Sequence, residues 1–307
     1  MRRVIDLHAN GKLLISGEYL VLVGATALAF PVRFGQNLHA DETEEQTLMW
    51  ESFTPDGRWF TGKFDMGTFH VISTDEMKTA VNLKKLLKSA RRLNPDFLAG
   101  QSGFRVCVRS DYPLEWGLGS SATLISLVAR WANADAYELF RLNSTGSGYD
   151  IACAERLGLL YYRLLNGLPE IIPVKAGKAL RKHTFFVYLG NKQDSTKEVG
   201  RFIAEKKYSE QDVEQVSRLS SFICQAETHE ELIGLVDDHE SILSKILQRD
   251  PIARRFPGFP GTVKSLGAWG GDFAMFVSGR EQAEVVDILH RQGFSRVFSF
   301  SEIEATS

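Results

Sequence analysis

The chain of 307 residues has only three cysteines, Cys107, Cys153 and Cys224. They lie far apart, lack metal-ligand spacing and cannot all pair with one another, which excludes a disulfide-built scaffold and fits a reducing compartment. No stretch approaches the roughly 20 uninterrupted apolar residues of a membrane span. The opening Met1-Arg-Arg-Val-Ile-Asp6 leads into His8 and Asn10 rather than into an apolar signal core, so the expectation is a cytoplasmic protein. Charge of one sign is lacking too: 36 Lys and Arg face 38 Asp and Glu. That balance gives no general reason to bind nucleic acid, and the cluster Lys84, Lys85, Lys88, Arg91 and Arg92 reads as a solvated helix face. The seven histidines are scattered and offer no zinc centre.

What is present is 44% hydrophobic and 24% charged residues, enough for one large domain or two moderate ones. Strand-like runs recur at residues 4–7, 27–34, 104–108 and 171–174. Helical spacing links Met77, Val81, Leu86, Leu87, Ala90 and Leu93, and returns from Ala122 to Trp131. Ala176, Gly177 and Lys178 read as a polar hinge. Beyond it come a strand at 185–189 and two helices, with apolar stripes from Val213 to Ile223 and from Leu232 to Leu247. Strands at 263–266 and 273–277, a helix at 281–292 and a strand at 297–300 close the chain.

Three segments carry chemistry. In Pro113-Leu-Glu-Trp-Gly-Leu-Gly-Ser-Ser-Ala-Thr123, two glycines precede a hydroxyl pair and a helix. Glycines let backbone approach a phosphate closely, the helix start offers N–H groups and a positive dipole end, and Ser120 and Ser121 can ligate phosphate or Mg²⁺. The plain alternative is a turn with a serine N-cap. Gly117-x-Gly119-x-x-Ala122 also fits a dinucleotide fingerprint, but residues 135–142 read as helix where that fold needs a second strand ending in an acid. No Walker A spacing is present. The second segment, Lys264-Ser-Leu-Gly-Ala-Trp-Gly-Gly-Asp-Phe273, has more glycines than a plain hairpin needs. The third, Gly11-Lys-Leu-Leu-Ile-Ser-Gly-Glu-Tyr-Leu-Val-Leu22, places Lys12 in an apolar run, where the plain reading is a strand-edge lysine.

Taken together, these segments resemble the three conserved motifs of the GHMP kinases. Gly11 to Leu22 is similar to Gly-Lys-x-x-x-x-Gly-Glu, Pro113 to Ala122 to Pro-x-x-x-Gly-Leu-Gly-Ser-Ser-Ala, and Lys264 to Asp272 to Gly-Ala-Gly-Gly-Gly. Ser147-Gly-Tyr-Asp-Ile-Ala152 and Asp194-Ser-Thr-Lys197 resemble elements of the mevalonate branch. Gly17-Glu18-Tyr19 and Gly270-Gly271-Asp272 lean toward phosphomevalonate kinase. Trp269 departs from the pattern, standing where the family usually has glycine, as does the lead Leu114-Glu115-Trp116.

The resemblance implies an α+β kinase fold with an N-terminal domain like ribosomal protein S5 domain 2 over residues 1–176 and a ferredoxin-like C-terminal domain over 177–307. It implies ATP and Mg²⁺ as cofactors, with Gly117, Leu118, Gly119, Ser120, Ser121 and Ala122 around the phosphates. Ser121 and Glu138 are the implied metal ligands, although Glu138 reads equally well as a solvated helix carboxylate. Asp150 takes the place of the catalytic aspartate, supported by Lys12; on its own it would read as a helix cap. Glu18, Ser147, Ser195, Thr196, Gly267, Gly270 and Gly271 are the implied substrate-binding set. The implied substrate is mevalonate or 5-phosphomevalonate, held by a monomer or homodimer with no nucleic-acid or membrane partner. A kinase of a sugar or amino alcohol, a silent metabolite-binding member of the fold and, more remotely, a nicotinamide-dependent oxidoreductase are the alternatives.

Overall fold

The computed structural model describes residues 3–190, 197–267, 269 and 272–306, together with the backbone but not the side chains of Ser195 and Thr196. The chain divides into two compact units, each assembled from separate stretches of sequence.

The first unit comprises Met1–Gly11, Phe34–Leu114 and Leu118–Glu155. It contains the start of β1 (Val4–Ser16), the second half of β2 (Ala27–Thr43), β3 (Thr47–Thr54), β4 (Gly57–Asp65), β5 (Val71–Thr74) and β6 (Gly103–Ser110). β2 pairs antiparallel with β6 from Gln36–Ser110 to Thr43–Gly103. β6 runs parallel to β3, and β4 and β5 follow antiparallel. Four helices accompany these strands: α1 (Met77–Leu93), α2 (Ser120–Trp131), α3 (Ala136–Asn143) and α4 (Tyr149–Ala154). Helix α1 starts where the Glu76 carboxylate accepts the N–H groups of Lys78 and Thr79, and it buries Ala80, Leu83, Leu86, Leu87 and Ala90. Those residues share a core with Leu38, Trp50, Phe64, Val106, Ile125 and Val128. Burial of this apolar set, at about 25 cal/mol per Å² removed from water, holds the helices on the strands.

The second unit comprises Lys12–Arg33, Glu115–Gly117 and Arg156–Ser307. Here the first half of β2 pairs with β7 (Leu160–Leu165), which forms a hairpin with β8 (Leu168–Pro173). After the short helix α5 (Lys178–Lys182) come β9 (Thr184–Tyr188), α6 (Ser195–Glu205), α7 (Glu210–Gln225), α8 (His229–Leu247), β10 (Thr262–Ser265), β11 (Phe273–Val277), α9 (Gln282–Arg291), β12 (Val297–Ser299) and α10 (Phe300–Ile303). The sheet order β10-β11-β9-β12 is antiparallel throughout. It is the split arrangement of a ferredoxin-like β-α-β-β-α-β unit, with three helices where the simplest version has one. The stretch read as a hinge is pinned within this unit, since Gly177 N–H donates to the Cys224 carbonyl at 2.7 Å.

Candidate active site

The glycine loop is built by conformation. Gly117 lies at φ +67° and Gly119 at φ +91°, values that an L side chain rarely adopts. Gly119 is the N-cap residue of α2 and supplies no side-chain hydrogen bond to its first turn. A twelve-residue helix therefore begins without the side-chain cap that serine, threonine or aspartate would give, and the dipole makes that end electropositive. Ser120 is half-buried and Ser121 exposed at this start, while Leu118, Ala122 and Thr123 are buried. The Thr123 hydroxyl donates to Gln36 at 2.7 Å, fixing the first turn to β2.

At the other end of the loop, the Lys12 ammonium donates to the Gly117 carbonyl at 3.1 Å. Gly117 has a second reason to lack a side chain: a Cβ there would overlap the Asp272 carboxylate and lie 3.0 Å from the Asp272 Cβ. The first, second and third motif segments thus meet at one residue inside the second unit.

Trp116, just before the loop, is buried among Tyr188, Phe273 and Phe298, with ring centroids 5.6, 6.1 and 6.0 Å away, and Arg296 lies over its ring. Trp269 is also turned inward, packing with Tyr19, Phe202 and Ile246 while its indole N–H donates to the Asp250 carbonyl at 3.2 Å. The indole joins a core between helices, so the departure from glycine is absorbed by packing.

Glu18 is 2% exposed and forms a buried ion pair with Lys264, itself fully buried. Burial pushes the Glu18 carboxyl up, against the pull of Lys264. His239 and Glu240 of α8 complete the cluster. His239 Nε2 accepts the Gly17 N–H at 3.0 Å, and burial, then Lys264, keep the imidazole's pKa well below its ordinary value. Its ring is therefore neutral, with the proton on Nδ1, despite Glu18 lying 3.6 Å away. Burial pushes Glu240 up to about 7, opposed by Lys264. The Glu18 side chain is thus committed to interior partners.

In the first unit, Asp150 is half-buried in the first turn of α4, after buried Ser147 and Gly148 and half-buried Tyr149. Glu138 is exposed on α3, whose N-cap Asp135 accepts the Glu138 N–H at 2.7 Å. Among the described residues no three His, Cys, Asp or Glu side chains are grouped to hold a metal. Gly267, in the segment 264–273, lies at φ +64°. Gly270 and Gly271 lie outside the described residues, as do the side chains of Ser195 and Thr196.

No sequence motif assigns a role to Lys264, His239, Glu240 or Tyr19. Two signals were there to find. Lys264 interrupts an apolar strand, where a buried ammonium demands a counter-charge. His239 continues the spacing Leu232, Val236, Leu243 and Ile246, which puts it on the buried stripe of α8.

This fold is that of the GHMP kinases. The mevalonate kinase of Methanococcus jannaschii superposes with a TM-score of 0.73 at 17% identity, covering 99% of both chains. Streptococcus pneumoniae phosphomevalonate kinase, in complex with phosphomevalonate and AMPPNP, gives a TM-score of 0.69 at 18% identity, over 96% of this chain and 99% of that one. Lactococcus lactis galactokinase complexed with galactose gives 0.68 at 12% identity, over 99% and 94%. No protein-family model matches the chain, and no curated protein matches it in sequence. No described helix is long and apolar enough to cross a membrane.

Proposed function

We propose that this protein is an ATP-dependent kinase that phosphorylates a small molecule of the mevalonate or 5-phosphomevalonate type. The observation carrying the proposal is the glycine loop: two left-handed glycines leading into the uncapped start of α2, with the Lys12 ammonium bonded to the Gly117 carbonyl. An electropositive helix end with accessible hydroxyls beside it suits a polyphosphate. The likeness to kinases of mevalonate, phosphomevalonate and galactose supports the class and leaves the acceptor open.

ATP with Mg²⁺, when bound, supplies the transferable phosphoryl group and neutralises much of its charge. The chain's residues do the rest. The first-turn N–H groups of α2 and the hydroxyls of Ser120 and Ser121 hold phosphate oxygens. Ser121, with Glu138 as the proposed carboxylate, contacts the cation; Mg²⁺ commonly takes only one or two protein carboxylates beside phosphate oxygens, so a larger cluster is not required. Asp150 accepts the proton of an acceptor hydroxyl. Ser147, Ser195 and Thr196 offer hydroxyls to the acceptor's carboxylate or phosphate. We assign the nucleotide-binding domain to residues 1–176 and the second domain to 177–307.

The test is ADP release with mevalonate, 5-phosphomevalonate, galactose and homoserine as acceptors. Turnover with one of the first two is expected. Silence with all four from folded protein that binds ATP would replace the kinase with a metabolite-binding protein, and binding of NAD without ATP would remove the nucleotide assignment altogether.

A further inference from the structure

Tyr19 stands at φ 61°, ψ −49°, and the Leu20 N–H donates back to the Glu18 carbonyl at 2.6 Å. A three-residue turn with positive φ at a bulky residue is rare and strained, and it persists only when its surroundings over-determine it. They do so here. The Glu18 carboxylate is paired with Lys264, and the Gly17 N–H is taken by His239. The Tyr19 hydroxyl accepts the Trp269 N–H at 3.1 Å, and its ring packs 5.5 Å from that of Phe202.

These contacts have a pattern. Lys264 lies in β10, at the start of the glycine segment 264–273, and Trp269 lies further along that segment. Two successive residues, Glu18 and Tyr19, therefore grip it at two points, and both lie within three residues of the end of β1, the strand that carries Lys12. The arrangement is costly: Glu18 Oε2, Glu240 Oε2 and His239 Nδ1 are buried with no hydrogen-bond partner among the described residues. Buried ion pairs replaced by apolar side chains of similar volume often lose no stability. What the polar set adds is a fixed relative placement of two backbone segments.

We propose that Glu18, Tyr19 and Lys264 are positioning residues that tie β10 and the Trp269 backbone to the strand of Lys12, so that Lys12 and Gly267 are presented to the nucleotide's phosphates from one fixed framework. This rests on the nucleotide-binding reading above. None of the three touches the nucleotide; each acts through the backbone it holds.

The full-length protein tests this through ATP affinity by calorimetry, KM and kcat, and thermal unfolding. Tyr19→Phe removes one hydroxyl and leaves the ring in place. ATP affinity should weaken about 3- to 10-fold, the equivalent of one net hydrogen bond, with a matching rise in KM and kcat within about twofold. The melting temperature should move by no more than about 3 °C. Unchanged affinity and KM overturn the proposal. Lys264→Met strands the Glu18 carboxylate and risks unfolding, so the neutral pair Glu18→Gln with Lys264→Met is the second variant. It should recover thermal stability yet bind ATP at least about tenfold more weakly than wild type, a split that a purely structural role does not produce. Recovery of both overturns the proposal. Wild-type protein that binds no ATP overturns the nucleotide assignment itself, and this inference with it, whereas normal ATP binding by Tyr19→Phe defeats the inference alone.

Discussion

Gly117→Ala probes the loop and its neighbour together. The substitution makes two demands. The backbone is held at φ +67°, where an L residue costs roughly 1–2 kcal/mol more than glycine. The new methyl also meets Asp272, whose carboxylate would overlap it and whose Cβ would stand 3.0 Å away. Rotation about the Asp272 Cα–Cβ bond clears the carboxylate but not the Cβ, so the backbone near Asp272 must also give. Overpacking of this kind costs roughly 1–3 kcal/mol, for a total of about 2–5 kcal/mol. Asp272→Gly removes the obstacle. The double variant should then carry only the backbone cost, leaving a coupling of about 1–3 kcal/mol between the two sites. Urea unfolding of the wild type, both single variants and the double variant measures that coupling. Effects that add to within about 0.5 kcal/mol would refute the claim that Asp272, as much as any phosphate, dictates glycine at 117.

Ser121→Ala should lower turnover with Mg²⁺-ATP while leaving the fold intact, since only an exposed hydroxyl is lost; unchanged kinetics would remove Ser121 from the cation. Asp150→Asn should retain ATP binding in calorimetry but cut turnover by about 10²-fold with a hydroxyl acceptor, and by less with a phosphate acceptor that needs no deprotonation. Wild-type turnover with every acceptor would return Asp150 to the role of a helix cap. Glu240 titrates near 7 when folded and near 4.5 when unfolded, so the folded state binds its proton more tightly. Its contribution to stability is complete below about pH 4.5 and is lost as pH rises through about 7, a change of up to about 3 kcal/mol. Glu240→Gln should flatten that part of the stability profile in denaturant titrations from pH 5 to 8, and an unaltered slope would reject the assignment.

Much of the fold was legible because its signals are local. The apolar spacing from Met77 to Leu93 coincides with α1, and the run at 273–277 with β11. Strands β3, β4 and β5 went unread. Trp50 and Phe64 alternate with polar neighbours such as Glu51 and Lys63, but short half-buried strands declare themselves only through cross-strand partners remote in sequence. The glycine segments were visible as a set of motifs. Their meeting at Gly117 was not, because no spacing rule places Asp272 against a residue 155 positions earlier. The buried charge cluster escaped for a related reason. Glu18, His239, Glu240 and Lys264 each look ordinary in their own segment, and only tertiary packing gathers them.

The placement of Trp116 gives the protein an optical handle of its own. The indole directly precedes Gly117, lies 5.6 Å from the Tyr188 ring and has the Arg296 guanidinium 5.8 Å above it. Of the five tryptophans, Trp50 and Trp131 belong to the interior of the other unit, and Trp59 is exposed. A chain keeping Trp116 as its sole indole should therefore report on the glycine loop through emission wavelength and tyrosine-to-tryptophan energy transfer. Nucleotide titrations could then be followed by light alone, before any acceptor is known.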